Sequence, residues 1–227
     1  MNCKDYSLHS GERQTGRTLQ DIRRDHVARY ELAERIIAGR TLRDAEGVCF
    51  DIFCGNGYGT YLVAQRFPSL WVLGIDGSAA AIAQANECYS VPNSLFSHKL
   101  FPFTLPERTA DFVLCFESLE HVAEDKSMLE QMLRSLKVGG VALVSVPNQE
   151  LHSLDKNPHP FHFRHYTKHD FLSMLPAGFA LETWFGQNVY EFTPEGVNTF
   201  RLLAAEDMEV KEQTPGQVNI FLLFRVR

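Results

Sequence analysis

Apolar runs in this chain are only a handful of residues long, far short of the roughly 20 that a membrane-spanning helix needs. Residues 1–20 are polar and hold no apolar stretch of the kind a secretory leader carries. Cysteine is sparse and shows no pairing pattern: Cys3, Cys49, Cys54, Cys88 and Cys115 are odd in number and contain no C-x-x-C. A disulfide framework or a cysteine-based zinc cluster is therefore not expected, and reduced thiols in a cytoplasmic protein are. Basic excess is missing too. Asp and Glu total 28 against 22 Lys and Arg, a formal charge of -6, which disfavours nucleic acid and anionic membrane surfaces as partners. No repeat or low-complexity tract occurs beyond an alternation of strand-like and helix-like segments.

What is present is ordinary globular composition, 44% hydrophobic and 22% charged over 227 residues. That is enough for one domain with a real core and cramped for two. Ile22, His26, Tyr30, Ala33 and Ile37 recur at helical spacing up to Gly39. The run 48–53 then predicts a strand, the glycines after it a turn, and 58–67 a helix stopped by Pro68. The unit repeats as strand 71–76 with helix 78–88, and as strand 112–116 with a helix at about 124–136. Gly139-Gly140 is expected to end that last helix before strand 141–146. Apolar strands alternating with helices predict an α/β fold, a Rossmann-like three-layer sandwich with a mostly parallel seven-stranded sheet and an antiparallel last strand. Beyond Pro147 the expectation is a polar, His-rich stretch at 151–166, a helix at 168–175, a strand near 180–186 and a closing strand at 218–225. The roughly 28 residues at 187–215 are ambiguous in pattern and suit a substrate cap or a contact between copies, leaving room for a homodimer. The whole chain, 1–227, is taken as one domain: 1–45 an N-terminal arm and helix, 46–150 a cofactor-binding core, 151–227 acceptor-side loops and final strands.

Asp51-Ile52-Phe53-Cys54-Gly55-Asn56-Gly57-Tyr58-Gly59 lies where the first strand turns into a helix, and glycines there let the backbone approach a ligand closely. Asp76 follows Gly55 by 21 residues, at the end of the second strand, where a carboxylate can accept both hydroxyl hydrogens of a ribose. A dinucleotide fingerprint needs a third glycine at position 60, but Thr60 stands there, so a pyrophosphate is disfavoured. Asp51, four residues before Gly55, places an acid where a ligand's ammonium group could lie, which suits an amino acid.

With these residues in place, the chain resembles the class I S-adenosylmethionine-dependent methyltransferases over about residues 10–190. The resemblance rests on D-x-x-C-G-x-G-x-G at 51–59, G-I-D-G-S at 74–78, the segment 110–122, and L-K-V-G-G-V at 136–141 with S-V-P-N at 145–148. It implies S-adenosylmethionine as cofactor, with Asp51, Cys54, Gly55, Gly57, Asp76, Gly77, Phe116 and Glu117 among the residues that bind it. Such enzymes place an acid after the third strand to meet the adenine amino group. Here 96–100 carries none, so Ser97, His98 or a backbone carbonyl is expected to substitute. S-G-E-R at 10–13, Arg29-Tyr30, G-Y-G at 57–59, P-F-H-F at 160–163 and Gly186-Gln187 are most similar to bacterial methyltransferases of surface-glycan biosynthesis.

Glu117, Glu120 and His121 follow the fourth strand, a position that points at the junction of cofactor and acceptor. A hydroxyl acceptor must lose its proton as the new bond forms, and a neutral imidazole suits that task. His121 and His165 are the catalytic candidates, and Tyr30, His162 and His165 the candidates for substrate contact. Five of the nine histidines fall between 152 and 169. A second reading is a divalent metal held by Glu117, Glu120 and His121 and completed by His162 or His165. That pattern resembles methyltransferases acting on RNA 3′ ends or quinone precursors. The third reading of the Glu/His group is structural. The leading function is thus O-methylation of a small-molecule or glycan hydroxyl. A non-catalytic cofactor-binding subunit and the metal-assisted enzyme remain as alternatives, and an NAD-dependent enzyme is disfavoured by Thr60 and Asp51.

Overall fold

The computed structural model of the chain describes residues 14–40 and 46–226. Cys3 and the segment 10–13 lie outside those residues. Strands β1 (Gly47–Ile52), β2 (Leu70–Asp76), β3 (Ser94–His98), β4 (Ala110–Phe116) and β5 (Leu136–Pro147) are parallel in the order β3-β2-β1-β4-β5. The apolar runs of β1, β4 and β5 are buried on both faces, as crossover helices require. On β5, Val141 and Leu143 join a core with Leu32, Ala33 and Ile37 of α1 (Arg24–Arg40) and Val63 of α2 (Tyr58–Arg66). Ala142 and Val144 join the opposite core, with Met128 and Met132 of α4 (Asp125–Ser135) and Phe171 of α5 (Lys168–Ser173). This period-two split of one strand between two cores makes the three layers. Helix α3 (Ala79–Cys88) starts on Ser78, whose hydroxyl accepts the Ala81 N–H at 3.3 Å.

Strand β10 (Val218–Arg225) inserts antiparallel between β5 and β6 (Phe179–Gln187), so the expected antiparallel last strand is there. Among the described residues the sheet has eight strands, one more than expected, because the two-residue β9 (Lys211–Glu212), from the ambiguous segment, pairs with the edge of β6. The rest of that segment forms a separate two-stranded ribbon of β7 (Tyr190–Phe192) and β8 (Asn198–Leu202). Gly139-Gly140 does not end α4. The helix stops at Ser135 and β5 begins at once with Leu136, which pairs with Ala110 and is fully buried. Burying Leu136 pulls the chain into extended pairing, and Gly139, at φ +76°, lies in the irregularity that restores register by Val141. Among the described residues no helix is long and apolar enough to cross a membrane. Cys49, Cys54, Cys88 and Cys115 are free thiols.

A buried polar network ties α1 to the far side of the sheet. Asp25 Oδ2 pairs with the Arg29 and Arg23 guanidiniums, each at 2.9 Å, and Arg29 Nε donates to Gln187 Oε1 at 2.8 Å. The Gln187 amide in turn donates to the carbonyls of Asp25 (2.9 Å) and Met208 (2.8 Å). Removing one member of such a pair leaves a buried charge uncompensated, at about 3–5 kcal/mol.

Phe171 and Phe221 stack with ring centroids 4.1 Å apart and planes 7° from parallel, both fully buried. Phe221→Ala therefore opens a cavity at the centre of the α4/α5 face and is expected to cost about 3–5 kcal/mol. A urea denaturation curve checks it.

Candidate functional site

Strand order reverses between β1 and β4, and a cavity of about 830 Å³ opens at the carboxyl ends of the strands there. One half of its wall comes from the loops after β1, β2 and β4: Cys54 and Gly55, Asp76 and Gly77, Phe116 and Glu117. Gly55 sits at φ +57° with nothing within 4 Å of where a Cβ would stand, so a side chain there would fill cavity space. Asp76 is nearly buried but lines the cavity, and its carboxylate accepts the backbone N–H of Gly55 (3.0 Å) and of Ser78 (2.7 Å). Phe53 and Glu117, directly beyond β1 and β4, are non-glycine residues held at φ +60° and +46°, conformations that cost energy and concentrate at ligand sites.

Several expected residues stand elsewhere. Asp51 does not line the cavity; it is 1% exposed, with its carboxylate receiving the Thr60 hydroxyl at 2.7 Å and the Tyr30 hydroxyl at 3.0 Å. Burial pushes its pKa up to about 7 despite the two donors. Thr60, which the sequence offered only as an argument against a pyrophosphate, is thus Asp51's partner. Gly57 caps α2 behind the cavity surface. At Gly59 an added Cβ would fall 1.9 Å from the Tyr30 ring, so this glycine lets α1 press against α2 and brings Tyr30 to the cavity wall. Ser97 and His98 are not on the wall, and His98 Nε2 donates instead to the Gly77 carbonyl at 3.1 Å. An aromatic edge that the sequence reading missed lies there: Phe53 and Phe101 line the cavity with ring centroids 6.5 Å apart.

The other half of the wall is built by the 3-10 turn Leu119–His121, the His-rich loop and the β7/β8 ribbon. The loop is fastened to the turn and to α4. Phe163 N–H donates to the Glu120 carbonyl (2.8 Å), while Arg164 (3.0 Å) and the Tyr166 hydroxyl (3.0 Å) both reach Asp125 Oδ2. Gln217 anchors the ribbon, accepting from the N–H groups of Val189 and Tyr190 at 2.9 Å each.

Within this half, Glu120 is 1% exposed and its Oε2 has no hydrogen-bond partner, while Oε1 lies 3.8 Å from His121 Nε2. Burial, reinforced by Glu117, raises the Glu120 pKa. Glu117 itself accepts the Ser145 hydroxyl at 2.8 Å. His165, expected to act on the acceptor, commits both ring nitrogens to neighbours: Nδ1 to the His152 carbonyl at 2.5 Å and Nε2 to His162 Nδ1 at 2.7 Å. One ligand atom each from Glu120, His121 and His162 lies within 4.8 Å of the other two. His169 is exposed on α5.

His26 sits at the α1 edge of the cavity, with Nδ1 3.1 Å from the Tyr58 hydroxyl. Burial, then Arg29, lower its pKa from 6.5 to about 3, Asp25 opposing. Between those values the unfolded chain binds a proton that the folded chain does not, so this contribution to stability is complete above pH 6.5 and is lost as pH falls through the window. The urea midpoint is expected to drop between about pH 7 and about pH 5, and to drop less in His26→Gln.

Residues 50–140 match the model of a methyltransferase domain. The chain is 32% identical over 169 residues to a protein of Mycolicibacterium smegmatis named "Probable S-adenosylmethionine-dependent methyltransferase", covering 73% of this chain and 61% of that one. It is 31% identical over 109 residues to trans-aconitate 2-methyltransferase of Acidovorax sp., covering 48% of this chain and 40% of the relative. The chain thus spans at most about three fifths of the length of these curated relatives. Among solved structures it superposes on an S-adenosylmethionine-dependent methyltransferase from Mesorhizobium loti with TM-score 0.64 at 17% identity, covering 88% of this chain and all of the other. It also superposes on the [4+2]-cyclase SpnF with TM-score 0.60 at 19% identity, covering 86% and 80%. The matched methyltransferase domain implies S-adenosylmethionine as cofactor.

Proposed function

We propose that the chain is an S-adenosylmethionine-dependent methyltransferase that methylates a hydroxyl of a small-molecule or glycan acceptor. The observation that carries this reading is that the glycine loop with Asp76 and the Glu/His group open into one and the same cavity. Its volume is in the range for a cofactor with a modest second ligand. Asp76 takes the ribose hydroxyls, the Phe53/Phe101 edge offers an apolar surface to the purine in place of the missing acid, and Tyr30 with Glu117 flanks the amino-acid end. S-adenosylmethionine supplies a methyl group on a sulfonium, open to in-line displacement by the acceptor oxygen. Glu120, His121 and His162 line the end where that oxygen and its proton must be handled. The relatives named for trans-aconitate make small acceptors the first to assay, and glycan hydroxyls the next.

Titration calorimetry with S-adenosylhomocysteine is expected to show binding that NADH does not compete. Asp76→Ala is expected to weaken it roughly 10–100-fold, the equivalent of about 1.5–3 kcal/mol for hydrogen bonds to a charged group. No binding by the unmodified chain would refute the reading.

A further inference from the structure

We propose that Arg23 and Arg29 bind a carboxylate group of the acceptor, which makes the acceptor an acid, of the hydroxy-acid or acidic-sugar class. Charge is the first ground. Guanidiniums stay protonated in proteins, and these two share one carboxylate. Asp25 accepts from Arg23 Nε at 3.0 Å and Nη2 at 2.9 Å, and from Arg29 Nη2 at 2.9 Å. Burial alone would raise the Asp25 pKa, but His26 and the two guanidiniums outweigh it and hold the acid below the usual carboxylate range, hence ionised. His26, whose pKa burial and Arg29 bring down to about 3, is neutral at pH 7. One positive charge is left over. Among the described residues no second carboxylate pairs with either guanidinium. Glu120 is not a third member: its Oε2 has no hydrogen-bond partner, its Oε1 lies 3.8 Å from His121 Nε2, and burial raises its pKa and so favours its neutral form.

Hydrogen-bond capacity is the second ground. A guanidinium carries five N–H donors. Arg29 commits one to Gln187 and one to Asp25, and Arg23 two to Asp25 and one to the Tyr190 hydroxyl at 2.9 Å. The remaining donors belong to side chains that line the cavity, and Arg29 is only 3% exposed. A charge so enclosed is costly unless an anion meets it, and a carboxylate entering from the cavity can take two N–H groups at once in the planar fork that arginine offers.

Position assigns the carboxylate to the acceptor. Gln187, which holds Arg29, ends β6 and stands five strand spacings, about 24 Å, along the sheet from Asp76 at the end of β2. Arg23 reaches to the ribbon beyond β6, with its guanidinium 5.5 Å from the centre of the Tyr190 ring. That ribbon belongs to the half of the wall opposite the glycine loop. Resting on the proposed methyl transfer, a carboxylate on this pair anchors the acceptor while its hydroxyl faces the Glu/His group. A neutral sugar would leave the extra charge unmet, so acidic acceptors are favoured over neutral glycans.

The test is titration calorimetry on the full chain, with and without S-adenosylhomocysteine, using malate, citrate and glucuronate as probes and malamide and glucose as neutral counterparts. The acids are expected to bind once per chain and the neutral compounds not to bind. Arg23→Gln is expected to weaken the acids roughly 10–100-fold, as for lost hydrogen bonds between charged groups. Arg23→Lys is expected to weaken them less, and Arg66→Gln, at an exposed position on α2, not at all. The urea midpoint of each variant reports folding, and S-adenosylhomocysteine affinity is expected to be essentially unchanged. Failure of all three acids to bind the unmodified chain, equal binding of the neutral counterparts, or indifference to Arg23→Gln would overturn the proposal. An equal loss of S-adenosylhomocysteine binding in Arg23→Gln would also overturn it, since the guanidiniums would then serve the cofactor's own carboxylate. Acids that bind a chain unable to bind S-adenosylhomocysteine would refute the cofactor reading and leave the anion site standing.

Discussion

The reversal of strand order between β1 and β4 is the constraint on which the rest of the structure depends. Chains leaving β1 and β4 cross to opposite faces of the sheet, so their loops diverge and leave the carboxyl ends uncovered. Everything that bears on function is a way of lining or roofing that gap. The turn after β1 brings glycine backbone to its floor, Asp76 fixes that turn through the Gly55 N–H, and α1 is drawn across the top by the buried Asp25–Arg29–Gln187 network. Phe53 and Glu117, both held at positive φ, stand on the same rim.

The parallel half of the fold was legible because a sheet covered on both faces writes continuous apolar runs, and β1, β2 and β4 stand close to where those runs predicted them. Elements set by tertiary pairing were not. Nothing local distinguishes Gly139-Gly140 as a strand irregularity from a helix stop; the pairing of buried Leu136 with Ala110 decides it. The two residues of β9 acquire strand character only by lying against β6.

At the site, residue types were legible and their engagements were not. Asp51 was expected beside a ligand's ammonium group; its burial beneath Tyr30 and Thr60 instead depends on how closely α1 approaches Gly59. The Asp25/Arg29 spacing of four residues on α1 was a signal that could have found the network; its partner Gln187, 158 residues from Arg29, could not be placed from sequence. The concentration of histidines at 152–169 falls in a loop that lines the cavity. Which of them are tied to one another follows from the His152 carbonyl and the His162–His165 pair, and no sequence pattern records those.

The account therefore joins a cofactor cradle made of backbone and one carboxylate to a second end made of imidazoles and a buried acid, within one cavity. A crystal structure with S-adenosylhomocysteine bound tests that junction most directly. The account predicts ribose hydroxyls on Asp76, the purine against Phe53 and Phe101, and the sulfur turned toward Glu120, His121 and His162. A nucleoside bound away from Asp76, or a sulfur facing away from the Glu/His end, would contradict it.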